Sequence, residues 1–239
     1  MNMKPLVRQI LRHHDFLSIV LLLLVCASAW GFMEIADELA EGDLHELDWQ
    51  LLMLLRSAEN PADPIGPRWF EEMVRDATAL GSTLILTLLV VSAAVALLME
   101  RKRQAAVWLI GSSLGALAFS TFFKNVFDRE RPNVLAPELL PTSYSFPSGH
   151  SLLSAAVYFT AAALLVHVIP RKRTKAFLLT VALLLTLLTG FSRVYLGVHF
   201  PSDVLAGWTL GLGWSVLCWF VFWQVSNRLR RSEPPPDRF

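Results

Sequence analysis

The sequence predicts an all-α membrane protein, a bundle of six transmembrane helices with short amphipathic helices in the first outer loop. Three observations predict it. The 239 residues are 54% hydrophobic and 17% charged, and the mean hydropathy is +0.47, more apolar than soluble domains are. The apolar residues are gathered into long blocks, and a hydrocarbon core of about 30 Å is crossed by roughly 20 of them in helical form, because lipid leaves no partner for a free backbone group. The basic residues fall between the blocks, on alternate sides.

The first span is placed at 16–33, behind Lys4, Arg8 and Arg12. Those cations and the small residues Ala27, Ser28 and Ala29 also resemble a signal peptide. The span is expected to be retained, because its loss leaves an odd number of spans and breaks the charge alternation. Residues 34–79 form an acidic outer loop. Within it Leu44, Leu47, Leu51, Leu54 and Leu55 recur at helical spacing, with Glu46, Asp48 and Gln50 elsewhere, so 43–56 reads as an amphipathic helix at the interface. Asn60 to Pro67 breaks it, and a second short helix follows from Arg68 towards Ala79. The loop is a cap over the bundle or a lipid-facing lid beside a site.

The next spans are 80–99, 105–123, 151–169, 176–190 and 204–225, with the fifth the shortest. Arg101, Lys102 and Arg103 join the second to the third; Arg171, Lys172, Arg173 and Lys175 join the fourth to the fifth; Arg228, Arg230 and Arg231 follow the sixth. The positive-inside rule places these clusters and both termini in the cytoplasm and loops 34–79, 124–150 and 191–203 outside. The expectation is therefore a multi-pass protein of the plasma (inner) membrane, one domain over 1–239, with 227–239 as a disordered cytoplasmic tail. Gly111 with Gly115 and Gly207 with Gly211 make small faces for close helix approach, and Trp219 and Trp223 read as interfacial anchors. Cys26 and Cys218 lie inside spans, where a disulfide framework is not indicated.

Two outer loops concentrate ionisable residues at the mouths of the spans. Lys124, Arg131 and Arg193 are three cations on one membrane face, and the planar fork of arginine matches phosphate oxygens. Ser148 and Gly149 open the fourth helix, so their backbone N–H groups are expected to point outward from the positive end of its dipole. His150 stands in that first turn. His199 precedes Pro201, which starts the sixth helix, and Asp203 lies within its first turn. An Asp there can accept Nδ1–H of His199 and leave Nε2 free to attack. Two histidines supply a nucleophile and an acid, and the spacing does not decide which is which. Zinc is disfavoured, because two histidines among arginines and a lysine are a poor ligand set. A Ser148 nucleophile is disfavoured too, because Pro147-Ser148-Gly149-His150 is no nucleophile elbow. Asp128, Arg129 and Glu130 read as juxtamembrane charges, and His13, His14, His45 and His167 as structural or solvated.

Lys124-x6-Arg131-Pro132, Pro147-Ser148-Gly149-His150 and Ser192-Arg193-x5-His199-x3-Asp203 resemble, in order and without departure, the three signature motifs of the type 2 phosphatidic acid phosphatase family. The resemblance implies His199 as nucleophile, Asp203 as its orienter, His150 as general acid, and Lys124, Arg131, Ser148, Gly149 and Arg193 as phosphate ligands. It implies no cofactor and no metal. The expected partners are a lipid phosphate or diphosphate and membrane lipids, with no nucleic acid. Undecaprenyl diphosphate, phosphatidylglycerophosphate and phosphatidic acid are the candidate substrates. The alternatives are a lipid phosphotransferase using the same phosphohistidine and a non-catalytic lipid or phosphate transporter.

Overall fold

The computed structural model describes residues 13–136, 138 and 140–232. Among them the chain forms, in order, α1 (His13–Glu41), α2 (Leu44–Met53), α3 (Arg68–Thr78), a 3-10 turn (Ala79–Gly81), α4 (Thr83–Met99), α5 (Arg103–Val126), α6 (Gly149–Val168), α7 (Lys172–Tyr195) and α8 (Pro201–Ser232). Extended pairing among those residues is limited to an isolated bridge between Arg56 and Pro64. The cations Lys4, Arg8 and Arg12 and the tail residues 233–239 lie outside the described residues.

Helices α1, α5, α6, α7 and α8 are each long and apolar enough to cross a bilayer. The sixth candidate span is α4, which meets the length and hydropathy needed only together with α3 and its 3-10 turn, from which it is bent by 50°. It is thus the second span, and not the fifth, that is short. The 17 residues of α4 reach about 25 Å at the helical rise, less than the hydrocarbon thickness. Ser82 starts α4 as its N-cap, its hydroxyl accepting from Ile85 N at 3.3 Å, and so ends the preceding turn. The fifth span, expected to stop at Gly190, continues as α7 to Tyr195 because Ser192, Arg193, Val194 and Tyr195 are buried at its end. Gly190 stays helical there because Trp208 covers it; a Cβ would lie 2.2 Å from that ring.

Helix α1 also outruns its expected end at Met33. Phe32, Ile35, Ala36 and Leu39 prolong one apolar stripe against the core, so the cap begins only at Gly42, whose φ of 88° breaks the helix. The two short amphipathic helices of the loop are α2 and α3.

Leu23, Trp30, Leu84, Met99, Val107, Leu114, Phe177 and Leu184 are exposed around the bundle, a belt suited to lipid. Helix α6 is the central one, with Leu152, Ala155 and Ala156 buried. Helix α8 rides on it backbone to backbone. A Cβ on Gly207 would stand 2.7 Å from the Ser148 carbonyl, and one on Gly211 2.4 Å from the Leu152 carbonyl. That contact brings Asp203, one turn before Gly207, against the start of α6. On α5, Gly115 meets Trp214, but Gly111 meets nothing within 4 Å, so only half of that expected face is an approach.

Candidate active site

The ends of α5 and α7 and the starts of α6 and α8 lie at one end of the bundle, opposite the basic turns 100–102 and 169–171. Lys124 belongs to the last turn of α5 and does not follow it, as the sequence had implied; Arg193 is in the last turn of α7. His199 sits in the turn between α7 and α8, 2% exposed, and Asp203 in the first turn of α8 is fully buried.

The hydrogen bonds of His199 set its tautomer. Arg131 Nη1 approaches Nε2 at 3.0 Å. Arginine only donates, so Nε2 carries the lone pair and Nδ1 the proton. That proton faces Asp203 Oδ2 at 3.3 Å. Asp203 Oδ2 also accepts the Ser145 hydroxyl, at 2.5 Å, and Phe200 N–H, at 2.9 Å. Burial holds the imidazole far below its ordinary pKa, down to about 3; Asp203 pulls the other way, and Arg131 and Arg193 add to the lowering. The ring is therefore neutral through the physiological range.

The anion side is built from both predicted loops. Arg131 bridges Ser143 O at 2.9 Å, Val198 O at 2.7 Å and Tyr144 O at 3.3 Å, and Lys124 Nζ donates to Tyr144 O at 2.7 Å. Arg193 Nη1 donates to Thr78 Oγ1 at 2.9 Å, while its buried Nε has no partner among the described residues. A Cβ on Gly149 would lie 3.4 Å from Lys124 Cε, so the glycine keeps the space beside the ammonium open. His150 makes no hydrogen bond among the described residues and lies within electrostatic range of Arg193, His199, Lys124 and Arg131. Gly81 lets it sit there, because a Cβ would be 3.2 Å from its ring.

Ser148 departs from the expectation. Its amide donates to Asp203 O at 2.9 Å and its hydroxyl accepts from Ser151 N and Oγ, so it caps α6 and ties it to α8. The amides left without any hydrogen-bond partner at this helix start, among the described residues, are those of Gly149 and His150.

Three residues were missed by the sequence reading. Arg129, read as a juxtamembrane charge, is half of a buried network: Nη1 donates to Asp203 Oδ1 and Nη2 to Asp48 Oδ2, each at 2.6 Å. Asp48, read as the polar face of the cap helix, is 2% exposed. Ser145 holds Asp203 from the loop before α6. The only signal available was the second arginine, two residues before Arg131; nothing local marks Asp48 or Ser145.

A cavity of about 310 Å³ lies between α4, α5 and α6, lined by Leu86, Val90, Leu114, Leu117, Leu153 and Val157 with few polar groups. Its head is one turn below His150, beside Thr83. Among the described residues no group of three or more His, Cys, Asp or Glu side chains is placed to hold a metal ion.

Comparison with known proteins matches residues 105–227 to the model of the PAP2 superfamily. The chain is 36% identical over 170 residues to phosphatidylglycerophosphatase B of Bacillus subtilis, covering 68% of this chain and 78% of that protein. It is 35% identical over 123 residues to an undecaprenyl-diphosphatase of Sulfolobus acidocaldarius, covering 49% and 55%. Among solved structures, the transmembrane PAP2-type phosphatidylglycerolphosphate phosphatase of Bacillus subtilis superposes with a TM-score of 0.71 at 28% identity, over 87% of this chain and 98% of that one.

Proposed function

Since the chain belongs to the PAP2 superfamily of lipid phosphatases, we propose that it hydrolyses a lipid phosphate or diphosphate through a phosphohistidine on His199, at the extracytoplasmic face. The observation that carries this reading is the His199 ring itself, fixed at Nδ1 by Asp203 and carrying its lone pair at Nε2 beside Arg131. A lone pair aimed into a cluster of cations is what an anionic phosphorus centre requires.

In the first step Nε2 attacks phosphorus in line, the bond from phosphorus to the leaving oxygen breaks, and His150, protonated, gives that oxygen its proton. Before that attack Arg131 exchanges His199 and its carbonyl partners for phosphoryl oxygens, joined by Lys124, Arg193 and the Gly149 and His150 amides, which frees the Nε2 lone pair. In the second step His150, now neutral, takes a proton from water, the water oxygen bonds to phosphorus, and the P–N bond breaks to release phosphate and return neutral His199. The apolar cavity below His150 suits the lipid tail. The basic turns at the opposite end of the bundle support an extracytoplasmic site in the plasma membrane.

Relatives named for phosphatidylglycerophosphate and undecaprenyl diphosphate support this substrate class. The test is phosphate release by the purified chain in detergent from phosphatidate, phosphatidylglycerophosphate and polyprenyl diphosphates. His199→Ala is expected to abolish release, and brief incubation with labelled substrate is expected to leave acid-labile, base-stable label on the wild type alone. Turnover by His199→Ala sinks the proposal. Release without an added lipid acceptor separates hydrolysis from transfer.

A further inference from the structure

Arg129 and Asp48 are buried, charged and unused by the chemistry above. Arg129 Nη1 donates to Asp203 Oδ1 and, at 2.8 Å, to Ser202 Oγ; its Nη2 donates to Asp48. Its guanidinium lies 4.3 Å from the centroid of Phe200. Asp48 comes from α2 in the cap, where Oδ1 accepts Ser202 N–H at 3.0 Å and Oδ2 accepts the Ser202 hydroxyl. The cap carboxylate thus caps the helix that carries Asp203 while holding Arg129 in place.

The two oxygens of Asp203 are consequently divided. Oδ1 takes the arginine, and Oδ2 takes Ser145, Phe200 N–H and His199. Buried charges are tolerated only when paired and hydrogen-bonded, and this arrangement pairs each of them. We propose that Arg129 and Asp48 are positioning residues for the nucleophile: Arg129 occupies one oxygen of Asp203, and Asp48 anchors Arg129 from the cap, so that the imidazole meets a single carboxylate oxygen and keeps one orientation. The proposal rests on the reading of His199 as nucleophile.

Charge counting gives it a sign. Asp48, Arg129 and Asp203 sum to one negative charge. Without Arg129 the Asp203 carboxylate that meets the imidazole loses its cationic partner, with the Asp48 charge behind it unbalanced, and a proton is drawn onto Nε2, which destroys the nucleophile. Without the charge of Asp48 the sum falls to zero and protonation becomes harder. The other titratable or charged groups facing His199 are Arg131 from the loop after α5, Arg193 from α7 and His150 from α6; none of them changes between the variants.

The experiment is the pH–rate profile of the full chain in detergent, on the lipid of the panel above that the wild type turns over fastest. Arg129→Gln is expected to raise the acid limb by at least one pH unit, so that the pH at which kcat/KM is halved lies about a unit or more above that of the wild type, with KM little changed. Arg129→Lys keeps the charge and is expected to leave the limb in place. Asp48→Asn is expected to slow turnover at every pH without raising the limb. A scaled Arg129→Gln profile that superimposes on the wild type overturns the proposal, as does a raised limb in Asp48→Asn. Where Arg129→Gln fails to fold, judged by gel filtration and thermal melting, the other two variants decide by the same criteria. Turnover by His199→Ala overturns the nucleophile reading itself; inactivity of that variant with unshifted limbs overturns the positioning pair alone.

Discussion

The turn joining α7 to α8 and the cap joining α1 to α4 meet over the same site and are held in opposite ways. The turn satisfies itself: Val198 N and His199 N donate to Arg193 O, Leu196 N to Ser192 O, and Phe200 N to Asp203. The cap satisfies its charges far away, Asp48 on Ser202 across 154 positions and Arg56 on Val194 across 138. Between them runs an apolar seam in which Leu52 packs with Val194, Phe200 and Val204, and Trp49 with Phe200. A self-contained turn sets the geometry of the reacting atoms; a remote cap sets how dry they are. Changes in the turn, and in the one cap residue, Asp48, that anchors Arg129 to it, should therefore cost turnover, and loosening the rest of the cap should cost stability and, by admitting water, the protonation state of the ring.

The largest effect is expected from Asp203→Asn. The amide cannot accept the Nδ1 proton, Ser145 and Phe200 N–H at one oxygen while pairing Arg129 at the other, so the tautomer with Nε2 free is lost. Turnover should fall on the order of a thousandfold or more, by analogy with triad carboxylates, with KM within about threefold because the proposed phosphate ligands are untouched. Initial rates against substrate concentration check it. A raised KM with normal turnover would put Asp203 in binding and erase the distinction between turn and cap.

The same contrast explains what was legible in the sequence. The turn is short, so His199, Asp203 and Arg193 could be read as one unit from spacing and the helix start at Pro201. The span count and the assembly of loops 124–150 and 191–203 at one end followed from hydropathy and charge, which are properties of segments. Asp48 was invisible because its helix shows an ordinary amphipathic pattern, and whether a carboxylate on the polar side meets water or Arg129 depends on a partner 81 positions away. Ser148 was misread in its detail for a related reason: a helix start predicts free amides, but only the close α6–α8 packing at Gly207 reveals that the Asp203 carbonyl takes one of them.

Arg56→Met probes the cap and should act on stability first. Arg56 Nη2 donates to the Val194 carbonyl at 3.2 Å and to the Tyr195 carbonyl at the end of α7, where a cation also meets the negative end of the helix dipole. Methionine leaves the Tyr195 carbonyl without its donor, and removal of Nε and Nη1, which have no partner among the described residues, offsets only part of that. A loss of about 1–3 kcal/mol is expected, read as a lower thermal midpoint in detergent, with turnover at neutral pH within about threefold of wild type. A hundredfold loss of turnover at unchanged melting would mean that the cap takes part in the chemistry.

The smallest expected effect is a flat one, and it tests the dryness that the cap confers. A histidine with its ordinary pKa near 6.5 would be only about 3% neutral at pH 5, a roughly thirtyfold loss of nucleophile between pH 8 and pH 5. Burial lowers His199 to about 3, so the neutral form that the proposed attack requires stays above about 95% over that interval. Protonation penalises the buried ring, so the contribution of His199 to stability is complete above pH 6.5 and is lost as pH falls from there through the folded value. Less than a twofold loss of kcat/KM should therefore trace to His199 between pH 8 and pH 5. A cap loosened by Arg56→Met admits water to the ring and should bring the acid limb up towards the ordinary histidine range. A wild-type rate already falling tenfold per unit below pH 6.5 would mean that the cap does not keep His199 dry.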